Sequence, residues 1–479
     1  MNKPISTSGQ SLEHGRSIVF RHGIVLTMDD SRRLIKDCDV LVVGGVIREI
    51  GPGIKAPDDA LEIDARGGII MPGMIDTHRH MWQTAMRAYG ADWTLSQYFV
   101  WYYLEHGRNF RPQDVYAGNL LSAIEAVDAG VTTSVDWSHG LQTIDHADAA
   151  VDALETIPGR FVLAFGNIQR APWEWTADKE LRDFYVRRFD GKGDMLGFQI
   201  AFDVVAGPEF PERAAFEVAR DMGVSVTSHA GVLGANGDDS VRLMHEAGFM
   251  TPDTVLVHCA TLSDDSYQRI AACGCSGSVS TESEQSAGQG YPSSWKLRQF
   301  DIPISLSHDT SVWWSADLFT AMRTTLGADR SRQHSEAHAR GEQVTQLDLR
   351  SEQVIDWATR GGSKALGLDS KIGSIEVGKR ADIVLIKNDD SPVMFPIVNP
   401  YGHVAMQAQR ADVHTVLVDG NILKHEHRLI NIDLEKARSA TEETVGYLAD
   451  TLGEVAWNAG MHPDLPEKEQ ISNPYHYNK

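Results

Sequence analysis

The chain has 479 residues, 42% hydrophobic and 23% charged, and its 66 Asp and Glu against 44 Lys and Arg give a net charge of −22 with neutral histidines. That composition is ordinary for a folded globular protein, and so acidic a surface repels phosphate, which argues against nonspecific binding to nucleic acid or to an anionic membrane. The start Met1–Ser6 has no apolar signal-peptide core and no apolar run reaches membrane-spanning length, so the cytoplasm is the expected location.

The length allows more than one core, although an α/β barrel occupies over about 200 residues as a single domain. Cys38, Cys259, Cys273 and Cys275 form no Cys-x-x-Cys pair and read as structural thiols, a Cys273–Cys275 bridge being strained by its spacing.

Short strand-like runs at 17–20, 23–28 and 39–50, the last folded at Gly44-Gly45, predict a small β-rich unit over 16–66. An apolar segment broken at Pro72-Gly73 then delivers His78 and His80. In an extended segment residues i and i+2 project to the same side, so both imidazoles can face one metal ion. A lone His-x-His is equally consistent with a surface loop.

An aromatic-rich stretch follows, with Trp82, Trp93, Tyr98, Phe99, Trp101, Tyr102 and Tyr103, and then a predicted helix at 114–129. Buried strands are expected at 130–137, 160–166, 195–202, 223–228, 253–258, 275–280 and 303–307, mostly with helix-length sequence between them. With the segment before His78 they make eight, the count of a closed parallel (β/α)8 barrel. Helices are predicted at 316–327 and 351–366 around a polar segment, 328–350. That segment reads first as a surface insertion, with an entrance loop or an oligomer contact as alternatives.

Residues 373–423 return to β-rich sequence and can join the N-terminal strands in one discontinuous domain, before a last helix at 433–454 and a Pro- and Asn-rich tail. The expected division is 1–66 and 370–430 as the two parts of a β-sandwich, 67–369 as the barrel, and 431–479 as a C-terminal helix and tail. Neither a dinucleotide-binding glycine fingerprint nor a phosphate loop occurs, so nothing points to a nucleotide cofactor.

The chemistry converges at strand ends. His78 and His80 follow the first barrel strand, His229 follows 224–228, His258 ends 254–257, and 304–307 leads through His308 to Asp309. Parallel strands bring these positions to one barrel rim. His78, His80, His229 and Asp309 form a mononuclear site for one divalent metal, zinc first and iron as the alternative, with a position left for water. Asp309 is expected both to support the metal and to orient the attacking water. His258 is expected to transfer a proton or stabilise charge, against the alternatives of a further nitrogen ligand or a structural histidine. Trp82, Trp93, Trp101, Trp313 and Trp314 are candidates to line an entrance for a flat heterocycle, with Gln83 as a polar contact, though packing around barrel loops explains an aromatic equally well.

Pro72-Gly73-Met74-Ile75-Asp76-Thr77-His78-Arg79-His80, Ser228-His229-Ala230, Val257-His258-Cys259 and Ser307-His308-Asp309 resemble the motifs of the metal-dependent amidohydrolase superfamily. Residues 373–384 resemble a late segment of its deaminase-like members, and the likeness runs from about residue 16 to 430. It implies a distorted β/α barrel with a composite β-sandwich, and hydrolysis at a carbon bonded to nitrogen or, less often, halogen. Within the superfamily the sequence is similar to the branch of cytosine deaminase-like and triazine-hydrolysing enzymes.

One position departs from that branch, which usually has a Glu three residues beyond the fifth-strand His, where this chain has Val232. Valine transfers no proton, which speaks against ordinary cytosine or adenosine deamination. Glu282 and Glu284 share a face if 278–285 stays extended, and Glu284 is then the candidate substitute proton donor or substrate anchor. The expected function is metal-dependent hydrolysis of a carbon–nitrogen bond in a cyclic or heteroaromatic small molecule by metal-activated water, in a homo-oligomer. The alternatives are hydrolytic dechlorination of a triazine-like ring or a noncatalytic metal-containing assembly protein.

Overall fold

The structure, a computed structural model, describes residues 15–205, 207, 209–232, 237–315 and 317–465. Met1–Ser6 and the tail beyond 465 lie outside the described residues. Five strands open the chain: β1 (Ile18–Leu26), β2 (Leu34–Val43), β3 (Val46–Gly51), β4 (Leu61–Asp64) and β5 (Ile69–Pro72). The barrel strands are β6 (Met74–Arg79), β7 (Val131–Ser138), β8 (Arg160–Phe165), β9 (Leu196–Ala201), β10 (Val226–Ala230), β11 (Val255–His258), β12 (Ser276–Val279) and β13 (Ile304–Leu306). After them come β14 (Ile383–Ile386), β15 (Val413–Val418), β16 (Asn421–His425) and β17 (Arg428–Leu429).

Strands β6 to β13 pair in sequence order, with parallel registers from each strand to the next. The sheet closes between its ends, where Asp309 N–H donates to His78 O at 3.0 Å and His80 N–H donates to Asp309 O at 2.8 Å. The result is a distorted (β/α)8 barrel. Its strands are buried almost throughout, as continuous apolar parallel strands covered by helices must be. Part of the interior is filled by small polar side chains that satisfy one another: Thr77 Oγ1 lies 2.8 Å from both Ser278 Oγ and Ser305 Oγ.

The other strands form a nine-stranded mixed sheet in the order β17-β16-β15-β14-β5-β1-β2-β3, with β4 on β1. N- and C-terminal segments thus build one accessory sheet through the pairing of β14 with β5. The chain changes sheet at Gly73, between β5 and β6, and a Cβ at that glycine would lie 2.1 Å from Thr132 Oγ1.

The predicted helix at 114–129 is found as Pro112–Asp128. The polar segment 328–350 is not one loop, because helix Leu318–Ala339 runs through its first half. Polarity there marks a helix face: Arg332 pairs with Glu336 one turn on at 2.8 Å, and Asp329 is buried against Arg298 at 2.6 Å.

Arg160 and Asp382 join the barrel to the accessory sheet. Their side chains are 3% and 2% exposed, and the guanidinium meets both carboxylate oxygens at 3.2 Å. Removing one partner strands a buried charge, so Arg160→Met should cost about 3–5 kcal/mol in urea unfolding. A loss below about 1 kcal/mol would show that the two units do not depend on this pair.

Candidate metal centre and active site

Strand direction places the functional side chains. In β6, His78 and His80 project to one side, and their ring centroids lie 4.6 Å apart. The strand ends of β10 and β11 bring His229 and His258 beside them, with centroids 4.9 and 5.5 Å from that of His78. Asp309, just beyond β13, puts Oδ1 3.4 Å from His78 Nε2 and 3.3 Å from His80 Nε2. Ligand atoms of His78, His80 and Asp309, and of His78, His229 and His258, each lie within 4.8 Å of one another. All four residues expected to hold the metal therefore converge, with His258 against them.

Outer contacts fix which nitrogen faces the centre in His80 and His229. His80 Nδ1 donates to Trp137 O at 2.8 Å, and His229 Nδ1 lies 3.1 Å from both carboxylate oxygens of Asp203. Both Nε2 atoms are then bare. That of His80 faces the Asp309 carboxylate at 3.3 Å, and that of His229 lies 3.3 Å from His78 Nε2. Electron pairs converging from imidazoles and a carboxylate repel unless a cation sits among them, so the donor set fits a divalent metal.

The protonation states agree with this. Burial holds His78 well below the usual histidine range and lowers His80 to about 4, so both are neutral as ligands must be. Burial alone would push the Asp309 carboxyl up, but the close contact with His78 and the other adjacent imidazoles outweigh it and hold the group well below the usual carboxylate range.

His258 is clamped. Its Nδ1 lies 3.3 Å from Glu284 Oε1, its carbonyl accepts from Ser293 Oγ at 2.5 Å, and its backbone takes a left-handed φ of 70°. Asp309 takes a φ of 74°. Such strain is concentrated where a site must hold a side chain in one direction.

A cavity of about 340 Å³ opens onto this centre, reaching His80, His229, His258 and Asp309. Its apolar wall comes from Leu95, Tyr98, Phe99 and Tyr103 on one side and from Val204, Val232 and Leu243 on another. Val232 lines the cavity at the position where the resemblance led one to expect an acid.

Of the five tryptophans expected at the entrance, Trp313 alone is at the cavity wall among the described residues. Trp314 packs beside it, with centroids 5.7 Å apart. Trp82 and Trp101 are wholly buried, in edge contact with Tyr102, and Trp93 donates its indole N–H to Gly460 O at 3.0 Å. These three support the aromatic segment from behind. Gln83 is also buried, donating to Tyr98 Oη at 2.7 Å and accepting from Thr310 Oγ1 at 2.8 Å, and is not at the cavity wall.

Glu282 and Glu284 do not share an extended face, because helix Thr281–Ala287 begins as β12 ends. Glu284 is fully buried behind His258, where Oε1 also accepts from Ser280 N–H at 2.8 Å. That position puts Glu284 against the His258 ring and not at the cavity wall. Burial beside Asp317 pushes Glu282 up to about 8.

Sequence reasoning passed over Asp203, although it stands just past the end of β9, at the same rim as the ligands. It also passed over Ser283, which donates to Asp309 Oδ2, and over Gln289 beside it.

The family model for the amidohydrolase family matches residues 69–423. The chain belongs to this family. It is 28% identical over 452 residues to a 5'-deoxyadenosine deaminase of Methanosarcina acetivorans, covering 89% of this chain and 98% of that protein. To a 5-methylthioadenosine/S-adenosylhomocysteine deaminase of Pyrococcus furiosus it is 25% identical over 434 residues, covering 88% and 98%. Among solved structures, the fold is shared with an atrazine chlorohydrolase of Arthrobacter aurescens complexed with zinc, with a TM-score of 0.77, 21% identity and coverage of 89% and 100%. It is also shared with a zinc-bound adenosine deaminase of Xanthomonas campestris, with a TM-score of 0.77, 19% identity and coverage of 91% and 99%.

Outer partners of ligating histidines typically contribute about 10–100-fold in metal affinity. Asp203→Asn should therefore loosen the bound metal by a factor in that range in competition with a chelator, without lowering thermal stability of the metal-free protein by more than about 1 kcal/mol. Unchanged affinity would show that Asp203 does not set the ring of His229.

Proposed function

We propose that this protein is a zinc hydrolase that cleaves a carbon–nitrogen bond of a cyclic or heteroaromatic small molecule. The observation that carries the reading is the convergence of His78, His80, His229 and Asp309, the last three at the wall of a largely apolar cavity, with His258 clamped beside them. Zinc is favoured over iron by the nitrogen-rich donor set and by the zinc in the related structures. The chemistry that a divalent metal held by these residues would supply is a lowered pKa for water and polarisation of the atom under attack.

The protein groups have separable roles. Asp309, ionised and tied down by Ser283, accepts the proton of the attacking water and can return it to the leaving group. His258 presents Nε2 to the reacting carbon's substituent while Glu284 holds the ring, which suits stabilisation of developing negative charge. Tyr98, Phe99 and Trp313 offer flat apolar surface for a ring.

Val232 favours a second reading, hydrolytic dechlorination of a triazine-like ring. An amine must be protonated as it leaves, whereas chloride departs without a proton, and the residue at this point of the wall supplies none. We place the protein in the cytoplasm as a homo-oligomer. No helix of the described residues is long and apolar enough to cross a membrane, and Phe395 and Val398 on one loop are 63% and 81% exposed.

The zinc-loaded protein should turn over members of a panel of aminated azines and chlorinated triazines, with released ammonia or amine and released chloride measured side by side. No turnover of any member at stoichiometric zinc would overturn the reading. His258→Gln should keep its zinc and lose about 10²–10⁴-fold in kcat. Loss of the metal together with activity would instead make His258 a ligand.

A further inference from the structure

We propose that the Gln289 side-chain carbonyl is the acceptor that reads an N–H of the substrate, so that the cavity selects azaheterocycles carrying N–H beside the carbon attacked. This rests on the hydrolase reading above and names the polar feature its substrate must have.

The argument is a count of protons. Ser283 Oγ stands between the Asp309 carboxylate and the Gln289 carboxamide, and its hydroxyl has one hydrogen to give. A carboxylate that ligates a metal carries no proton and can only accept, so Ser283 donates to Asp309 Oδ2. Ser283 can then only accept from Gln289. The structure sets Gln289 Oε1 3.0 Å from Ser283 Oγ, which would require the same hydrogen a second time. Amide oxygen and nitrogen are told apart only by their partners, so the NH2 occupies that position and donates to Ser283. The carbonyl takes the other end of the carboxamide. That end makes no hydrogen bond among the described residues, and Gln289 is 3% exposed at the cavity wall.

Neighbouring polar groups at the wall are already engaged. Tyr98 accepts from Gln83 and gives its proton to His139 Nε2 at 3.3 Å, since His139 Nδ1 faces Trp137 O at 3.2 Å. Ser240 Oγ donates to Gly237 O at 2.7 Å, and Asp203 is held by His229. An unpaired carbonyl at the wall of an apolar cavity costs free energy until a donor meets it, which makes it a discriminating group. Because Ser283 bonds Asp309 and Gln289 together, a ring docked on the carbonyl is placed directly beside the metal centre.

The test uses two probes on the zinc-loaded protein: a chloro-diamino-triazine and the same ring with both amino groups dimethylated. Binding is followed by calorimetry. The N–H ring should bind roughly tenfold tighter than its methylated counterpart, and Gln289→Leu should abolish that preference with zinc content and melting temperature unchanged. Gln289→Met, which keeps the side-chain length, should behave as Gln289→Leu and guards against a packing defect. Equal binding of the two probes by the unsubstituted protein, or a preference that survives both substitutions, would overturn the assignment. Failure of the functional reading shows separately, as absence of turnover across the whole panel.

Discussion

The barrel closes through the backbones of its own metal-binding residues. Between β6 and the segment after β13, the bonds Asp309 N–H to His78 O and His80 N–H to Asp309 O complete the ring of strands. Closure leaves no open sheet edge, and here it also fixes the distance between the ligand from the last strand and the two from the first. Asp76 strengthens the seam from inside, since its Oδ1 accepts from His78 N–H at 3.3 Å and from His308 N–H at 3.2 Å. Burial outweighs the pull of Arg79, fully buried and 3.2 Å away, and leaves the Asp76 carboxyl raised to about 6. Arg79 also reaches His308 Nδ1 at 3.4 Å and Ser122 O at 3.2 Å. The residue between the two ligand histidines thus faces away from the metal and locks the strands that carry them.

That arrangement makes fold stability and site geometry one problem. A buried arginine and aspartate are tolerated only when they are paired and hydrogen-bonded, and here Asp76 takes its donors from the backbone of the site itself while Arg79 spends its own on Asp76, His308 and Ser122. The left-handed backbones of His258, Cys259 and Asp309, at φ of 70°, 56° and 74°, cost of order 1–3 kcal/mol each. They persist because surrounding bonds overdetermine them: Ser293 on the His258 carbonyl, Glu284 on its ring, and the closing bonds on Asp309.

Much of this was legible in the sequence because it depends on simple periodicity. Apolar runs of strand length marked the eight barrel strands, and the period of two in a strand put His78 and His80 on one face. The same rule misled at Glu282 and Glu284, where β12 gives way to a helix and spacing by two no longer means a shared face. The polar run at 328–339 looked like a loop because its apolar positions are few, although Ala328, Asp329 and Ala337 are buried along the helix. Asp203 and Gln289 were not readable, since a single Asp after a strand, or a single Gln after the helix Thr281–Ala287, carries no pattern. Their roles exist only once folding brings His229 and Ser283 to them.

Aromatic content predicted an aromatic wall but not which rings face inward. Trp82, Trp93 and Trp101 are the larger rings of their segment, and size favours burial: each hides more apolar area behind the wall than it would at its surface. Tyr98, Phe99 and Tyr103 take the cavity side. What holds the segment in place comes from the far end of the chain. Trp93 Nε1 donates to Gly460 O and Met461 O at 3.0 and 3.1 Å, Tyr89 Oη donates to Trp457 O at 2.5 Å, and Gln97 Nε2 donates to Pro463 O at 2.9 Å. Every one of these bonds runs from a side chain of the aromatic segment to a backbone carbonyl of the C-terminal stretch. Such carbonyls impose position through the backbone, and two identities keep that path close: a Cβ at Gly460 would lie 2.3 Å from Tyr89 Oη, and the Trp457 ring packs on Tyr89 with centroids 4.7 Å apart.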